Sequence, residues 1–207
     1  MGRLKIMGTK YKKIWFIRHG ESEANAGCRT SDPAVIPLTA NGRRQASEIA
    51  ASFEEQPALV VSSRYLRAKQ TARPLLDRFR QVPYEEWDVH EFTYLSPLRC
   101  GDTTIFDRRP LVEAFWNRAD PNYCDGKGAE SFADFMKRVQ GVVNRMEMSS
   151  VRFCAVFSHM QFIAAVLWRM GNPCRAIDAA AMISYKSFLD INQFPNGSIV
   201  PIPRQMD

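Results

Sequence analysis

The sequence holds little that could cross-link it or bind a metal. Its five cysteines are odd in number, and none is spaced as C-x-x-C. That argues against a disulfide framework and against a thiolate zinc site. Histidine is scarcer, at three residues, and His19-x-Glu21 is not the paired spacing of a helical zinc motif. No metal and no cofactor is therefore expected. No apolar run spans a bilayer comfortably either. The longest, "CAVFSHMQFIAAVLW" from Cys154 to Trp168, is interrupted by Ser158, His159 and Gln161. The first residues lack the apolar core of a signal peptide, and Ile6 stands where a myristoylation signal wants Ser or Thr. Internal repeats and low-complexity segments are absent. Basic residues are dispersed except around Arg3, Lys5, Lys10, Lys12 and Lys13, so no nucleic-acid stripe stands out. These absences predict a reducing, cytoplasmic setting, with neither membrane nor nucleic acid as a partner.

What is present is enough apolar residue for one core: 45% of 207 residues are hydrophobic. A net charge of +6 favours an anionic partner without naming it. Residues 1–10 read as a basic tail and 11–207 as the domain. Three short apolar runs, Ile14 to Ile17, Ala58 to Val61 and Phe153 to Phe157, alternate with helical patterns, as parallel strands covered on both faces do. After Thr39, a candidate N-cap, Ala46, Ile49, Ala50 and Phe53 recur at helical spacing. Ala68, Ala72, Leu75, Leu76 and Phe79 do so next, with Pro74 expected to kink or split that helix. Ser131 caps a third, followed three residues later by Asp134. The stretch from 92 to 130, rich in Pro, Arg, Asp and Gly, breaks the rhythm and predicts a lid-like excursion over one end of the sheet. Ligands of open α/β sheets bind beyond the carboxyl ends of the strands. That rim would gather Arg18-His19, Ser62-Ser63 with Arg64 and Arg67, and Ser158-His159.

The stretches "RHGESEAN", "LTANGRRQA", "SSRYLRAKQTA", "HEF" and "SHMQFI" resemble, in order and spacing, those of the histidine phosphatase superfamily, the phosphoglycerate-mutase-like proteins. The resemblance covers nearly the whole chain from Tyr11. It implies a three-layer α/β/α sandwich with a mostly parallel central sheet, and phosphoryl transfer through a phosphohistidine. The enzyme class it suggests is a histidine acid-type phosphatase, a phosphoric monoester hydrolase.

On this reading His19 is the nucleophile, attacking as a neutral imidazole whose other nitrogen is held by a backbone carbonyl. Arg18, Arg67 and His159 surround the phosphoryl oxygens, and the arginines supply a fork that Lys cannot. Family members usually read S-S-P-L-x-R-A where this chain has "SSRYLRA". Arg67, directly before the alanine, is thus the catalytic arginine, and Arg64 occupies the proline position as a rim charge near the substrate. Glu91 matches the general acid and needs a raised pKa to hold its proton. Asn25 matches a position near the phosphate, with a turn role as its alternative. His90 reads as structural. Ser62 and Ser158 read as strand-end residues, since neither sits in a G-x-S-x-G elbow.

Two departures bear on activity. Met160 replaces the glycine usual after the last histidine and is expected to narrow the pocket. The segment "AGCRTSDPAVIP" lacks the F-x-G-W stretch of glycolytic mutases. A phosphatase is therefore expected, acting on a small phosphorylated molecule or on a phosphoprotein. The rivals are a phosphoglycerate-mutase-like phosphotransferase and a non-catalytic phosphate- or nucleic-acid-binding module. Arg99, Arg108 and Arg109 are candidates for a second anionic group of the substrate. Phe92, Tyr94, Phe106, Phe115 and Trp116 are expected to pack into the core.

Overall fold

The computed structural model describes residues 11–205, so the basic stretch 1–10 lies outside the described residues. In chain order the elements are β1 (Tyr11–Arg18), α1 (Ala40–Ala51), β2 (Leu59–Ser63), α2 (Leu66–Arg78), β3 (Tyr84–Trp87) and α3 (Arg109–Arg118). Then follow α4 (Phe132–Met148), β4 (Phe153–Ser158), α5 (Met160–Gly171), α6 (Ala179–Ile191) and β5 (Ile199–Gln205). The strands form one sheet in the order β3-β2-β4-β1-β5, with only β5 antiparallel to its neighbour.

Side-chain alternation along the central strands builds the three layers. Ile14 and Phe16 of β1, Val61 of β2, and Cys154 and Val156 of β4 pack with α4, α5 and α6. Ile17, Val60, Ala155 and Phe157 face the other way, onto α1 and α2 through Ile49, Phe53, Ala72 and Leu75. Burial on both faces explains why these strands read as unbroken apolar runs.

Helix starts follow the capping chemistry that the sequence offers. Thr39 accepts from Gly42 N–H, and Ser131 from Asp134 N–H. α2 runs through Pro74 without splitting. Proline removes one backbone hydrogen bond there, while Ala68, Ala72 and Leu75 are wholly buried on the same helix.

The register sets the rim. Arg18 pairs with Ser158, and Ser62 with Phe157, so β1, β2 and β4 end side by side. The excursion from 92 to 130 contains α3, which buries only Phe115. Phe92 stacks on Phe135 with ring centroids 4.3 Å apart, whereas Phe106 stays exposed rather than joining the core. Among the described residues no helix is long and apolar enough to cross a membrane.

Candidate active site

A cavity of about 370 Å³ opens beyond the carboxyl ends of β1 and β2, lined among others by Arg18, His19, Asn25, Arg67, Glu91 and Met160. It sits where an open α/β sheet places its ligand.

His19 follows the last residue of β1. Its Nδ1 is 2.7 Å from the carbonyl oxygen of Gly20, and its Nε2 is 3.1 Å from Nε of Arg67. Guanidinium N–H only donates and a carbonyl only accepts. The two partners together fix one tautomer, with the proton on Nδ1 and the lone pair on Nε2. Burial, and then the charge of Arg67, hold the His19 pKa well below its ordinary value. The imidazole is neutral, and its lone pair on Nε2 accepts from Arg67.

The loop carrying His19 is clamped from several sides. Gly20 N–H donates to Thr71 Oγ1 (3.0 Å), and Asn196 Nδ2 donates to the His19 carbonyl (3.1 Å). Glu21 turns away from the cavity to accept from Thr39 Oγ1 (2.6 Å) and Asn41 Nδ2 (3.2 Å) at the start of α1. A Cβ on Gly20 would lie 2.5 Å from the Gly42 carbonyl oxygen, and one on Gly42 would lie 2.0 Å from that of Glu21. Only glycine at both positions lets the backbones approach this closely.

Arg18 donates to the Phe194 carbonyl, and its Nε is buried without a partner among the described residues. Burial lowers its pKa, against the pull of Glu91. Arg67 also donates to the Pro33 carbonyl (2.6 Å), and burial lowers its pKa to about 10, so it stays charged at neutral pH.

Glu91 lies at the N-terminus of α5. Its Oε1 accepts from the backbone N–H groups of Phe92 (3.1 Å), Gln161 (3.1 Å) and Phe162 (3.3 Å). Its Oε2 has one long contact, 3.4 Å from Gln161 N. These donors and the nearby arginines favour the carboxylate, but burial outweighs them and raises the pKa. Oε2 is therefore the oxygen available to carry a proton.

His159 stands behind His19, with ring centroids 5.0 Å apart, and is wholly buried. Its Nε2 is 2.9 Å from Ser63 Oγ, and its Nδ1 has no partner among the described residues. Ser63 Oγ already accepts from Tyr65 N–H at 3.1 Å. Burial, and then Arg67, hold the His159 pKa well below its ordinary value.

The structure thus gathers Arg18, His19, Arg67 and Glu91 on one cavity wall, with His159 directly behind and Asn25 at the margin. Asn25 Oδ1 accepts from Ser22 N (3.2 Å), Ser22 Oγ (2.9 Å) and Asn196 Nδ2 (3.1 Å), so it also holds the turn. Arg64 is not brought to the cavity. Its exposed guanidinium lies 3.2 Å from Nε2 of the buried His90, on a separate depression. Arg64 follows the last residue of β2 and points outward, whereas Arg67, the second residue of α2, points inward. Sequence reasoning missed Ser63 as the partner of His159, although it stands in the quoted "SSRYLRA". It also missed Asn196, whose N-G pair signals a turn but not where that turn docks.

Comparison with known proteins identifies the family and the fold. A family model described as "Histidine phosphatase superfamily (branch 1)" matches residues 14–188. Branch 1 is a different subgroup from the acid-type phosphatases that the sequence suggested. The Escherichia coli adenosylcobalamin/alpha-ribazole phosphatase is 30% identical over 182 residues, which cover 80% of this chain and 82% of that protein. Among solved structures, the alpha-ribazole phosphatase of Shigella flexneri superposes with a TM-score of 0.69 at 24% identity, covering 92% of this chain and 89% of that one. A mycobacterial glucosyl-3-phosphoglycerate phosphatase gives 0.69 at 22%, over 93% and 90%. At these identities the two structures support the fold.

Proposed function

The chain belongs to the histidine phosphatase superfamily, branch 1, and on that premise we propose that it hydrolyses phosphate monoesters through a phosphohistidine on His19. The observation that carries the reading is the tautomer lock, with Gly20 on one side of the ring and Arg67 on the other. In the first step the Nε2 lone pair attacks phosphorus and the P–O bond to the ester breaks. The leaving oxygen takes the proton held on Glu91 Oε2. In the second step water attacks phosphorus and passes a proton to the Glu91 carboxylate. The P–N bond then breaks, and its electron pair returns to Nε2.

Arg18 and Arg67 supply the fixed positive charge that the phosphoryl oxygens need, in the place that metal ions take in other phosphoryl transferases. The unpartnered Arg18 Nε is one such donor. Ser63 can donate its hydroxyl proton to His159 Nε2, which puts the His159 proton on Nδ1 of a buried ring that backs His19. The alpha-ribazole phosphatases among the relatives act on small phosphorylated molecules, in keeping with a cavity of this size. Five free thiols favour a cytoplasmic setting.

The test is chemical trapping. Turnover of a labelled aryl phosphate in EDTA should leave a phosphoramidate on His19 that is labile in acid and stable in alkali. His19→Ala should lose both label and hydrolysis. Label retained in that variant, or found on Ser62, Ser63 or a cysteine, moves the nucleophile elsewhere.

A further inference from the structure

Resting on that phosphatase reading, we propose that the substrate is the monophosphate of a hydrophobic alcohol. The lid arginines are already engaged. Arg99 is paired with Asp125, and Arg109 lies over the exposed Phe106 ring, 5.9 Å from its centroid. Among the described residues, Arg108 is the one charged residue lining the cavity apart from Arg18, Arg67 and Glu91. Its Nε donates to Thr103 Oγ1 (2.7 Å), and its Nη2 donates to Thr30 Oγ1 (2.7 Å) and the Thr103 carbonyl (2.6 Å). Thr30 and Thr103 also pair through their backbones. Arg108 is thus a clip that joins the segment after Asn25 to the excursion.

Six apolar side chains, Ile36, Leu95, Pro97, Ile105, Val112 and Met160, line the cavity beside polar ones such as Ser31, Thr93 and Gln161. The apolar surface does not stop inside. Val35 (61% exposed), Leu98 (77%), Ile105 (45%) and Phe106 (64%) adjoin or belong to that wall, and they are four of the eight large hydrophobics left exposed among the described residues. Scattered exposed hydrophobics need no explanation, but one in the lining and three next in sequence to lining residues Ile36, Pro97 and Ile105 suit an apolar binding surface. A phosphoryl group held at the rim of the sheet would leave the body of its ester against this wall. A carboxylate or second phosphate placed against those apolar side chains would be desolvated, and Arg108, the one cation on this wall, has its Nε and Nη2 turned to Thr30 and Thr103.

The experiment is a homologous series, n-propyl to n-hexyl phosphate, in which the alkoxide leaving group stays constant and only buried apolar surface grows. kcat/KM should climb with each methylene, by up to about fourfold. Hexyl phosphate should exceed 3-phosphoglycerate and fructose 1,6-bisphosphate at least tenfold, and Ile105→Asp should flatten the slope. A flat or falling series, or preference for either doubly anionic ester, overturns the inference. An aryl phosphate assayed alongside separates the failures. Its hydrolysis with a flat alkyl series sinks only the apolar inference, whereas no His19-dependent hydrolysis sinks the phosphatase reading as well.

Discussion

Nε of Arg67 donates to Nε2 of His19 at 3.1 Å, so the free enzyme keeps the lone pair that would attack phosphorus covered by the arginine that would receive the phosphate. The incoming phosphoryl group must take over that N–H before attack. Arg67 can change partners because its fork has several donors in one plane, and its Pro33 contact keeps the plane in place. Arg67→Lys retains the charge but cannot make both contacts. We expect kcat to fall about 100- to 1000-fold, the usual cost of a lost transition-state donor. Steady-state kinetics on an aryl phosphate, with circular dichroism to verify folding, measures it.

Glu91 offers a different discrimination. Glu91→Gln keeps the size and accepts from the same backbone donors, but it cannot deliver a proton. Hydrolysis of alkyl phosphates should drop at least 100-fold, while aryl esters with good leaving groups lose far less. Equal losses on both classes would make Glu91 a positioning residue.

All three histidines have depressed pKa values, His90 at about 3, each first through burial. In the unfolded chain they bind protons near pH 6.5, which the folded protein resists, so stability falls as pH drops below that value. Glu91 acts in the opposite sense. Its raised pKa makes the folded state bind the extra proton, so its contribution is present at low pH and lost as pH rises through the folded value. Three histidines outweigh the one carboxyl, so the net effect is a loss of stability as pH falls below about 6.5. Urea unfolding at pH 7 and pH 5 should show that loss. His90→Gln should reduce the slope by about one proton without touching the cavity.

Gly42→Ala tests the backbone contact. Alanine inside a helix ordinarily stabilises by about 0.5–1 kcal/mol over glycine. Here its Cβ would meet the Glu21 carbonyl oxygen at 2.0 Å, so we expect a loss of about 1–3 kcal/mol instead. Because Glu21 is two residues from His19, kcat should fall as well. Thermal unfolding and kinetics on one sample check both.

The central strands were legible because burial on both faces writes itself as continuous apolar sequence. The edges were not. β3, "YEEW", exposes its first three residues, and its sequence carries no core signal. β5, "IVPIPRQ", contains two prolines that would exclude it from a sheet interior, but an edge strand tolerates them. α3 stayed hidden because Phe115 alone of its ten residues is buried. The site residues that resemblance nominated were readable one by one, but their connections were not. No local pattern announces that Ser63 will face His159, or that Asn196 will reach back across 177 positions to the His19 carbonyl. Arg64 misled because neighbouring arginines look equivalent in sequence and diverge only once the helix begins.

The chain order of the sheet carries a kinetic consequence. β1 receives the parallel neighbour that ends beside His19 only when β4 has been added, some 140 residues later, and the Asn196 turn later still. Such sequence-distant pairings are the slow events of folding, because loop closure precedes the contacts that reward it. In a refolding experiment, helical signal from α1 and α2 can return early. Recovery of phosphatase turnover instead reports the last strand to dock, which makes the reaction itself a clock for completion of the fold.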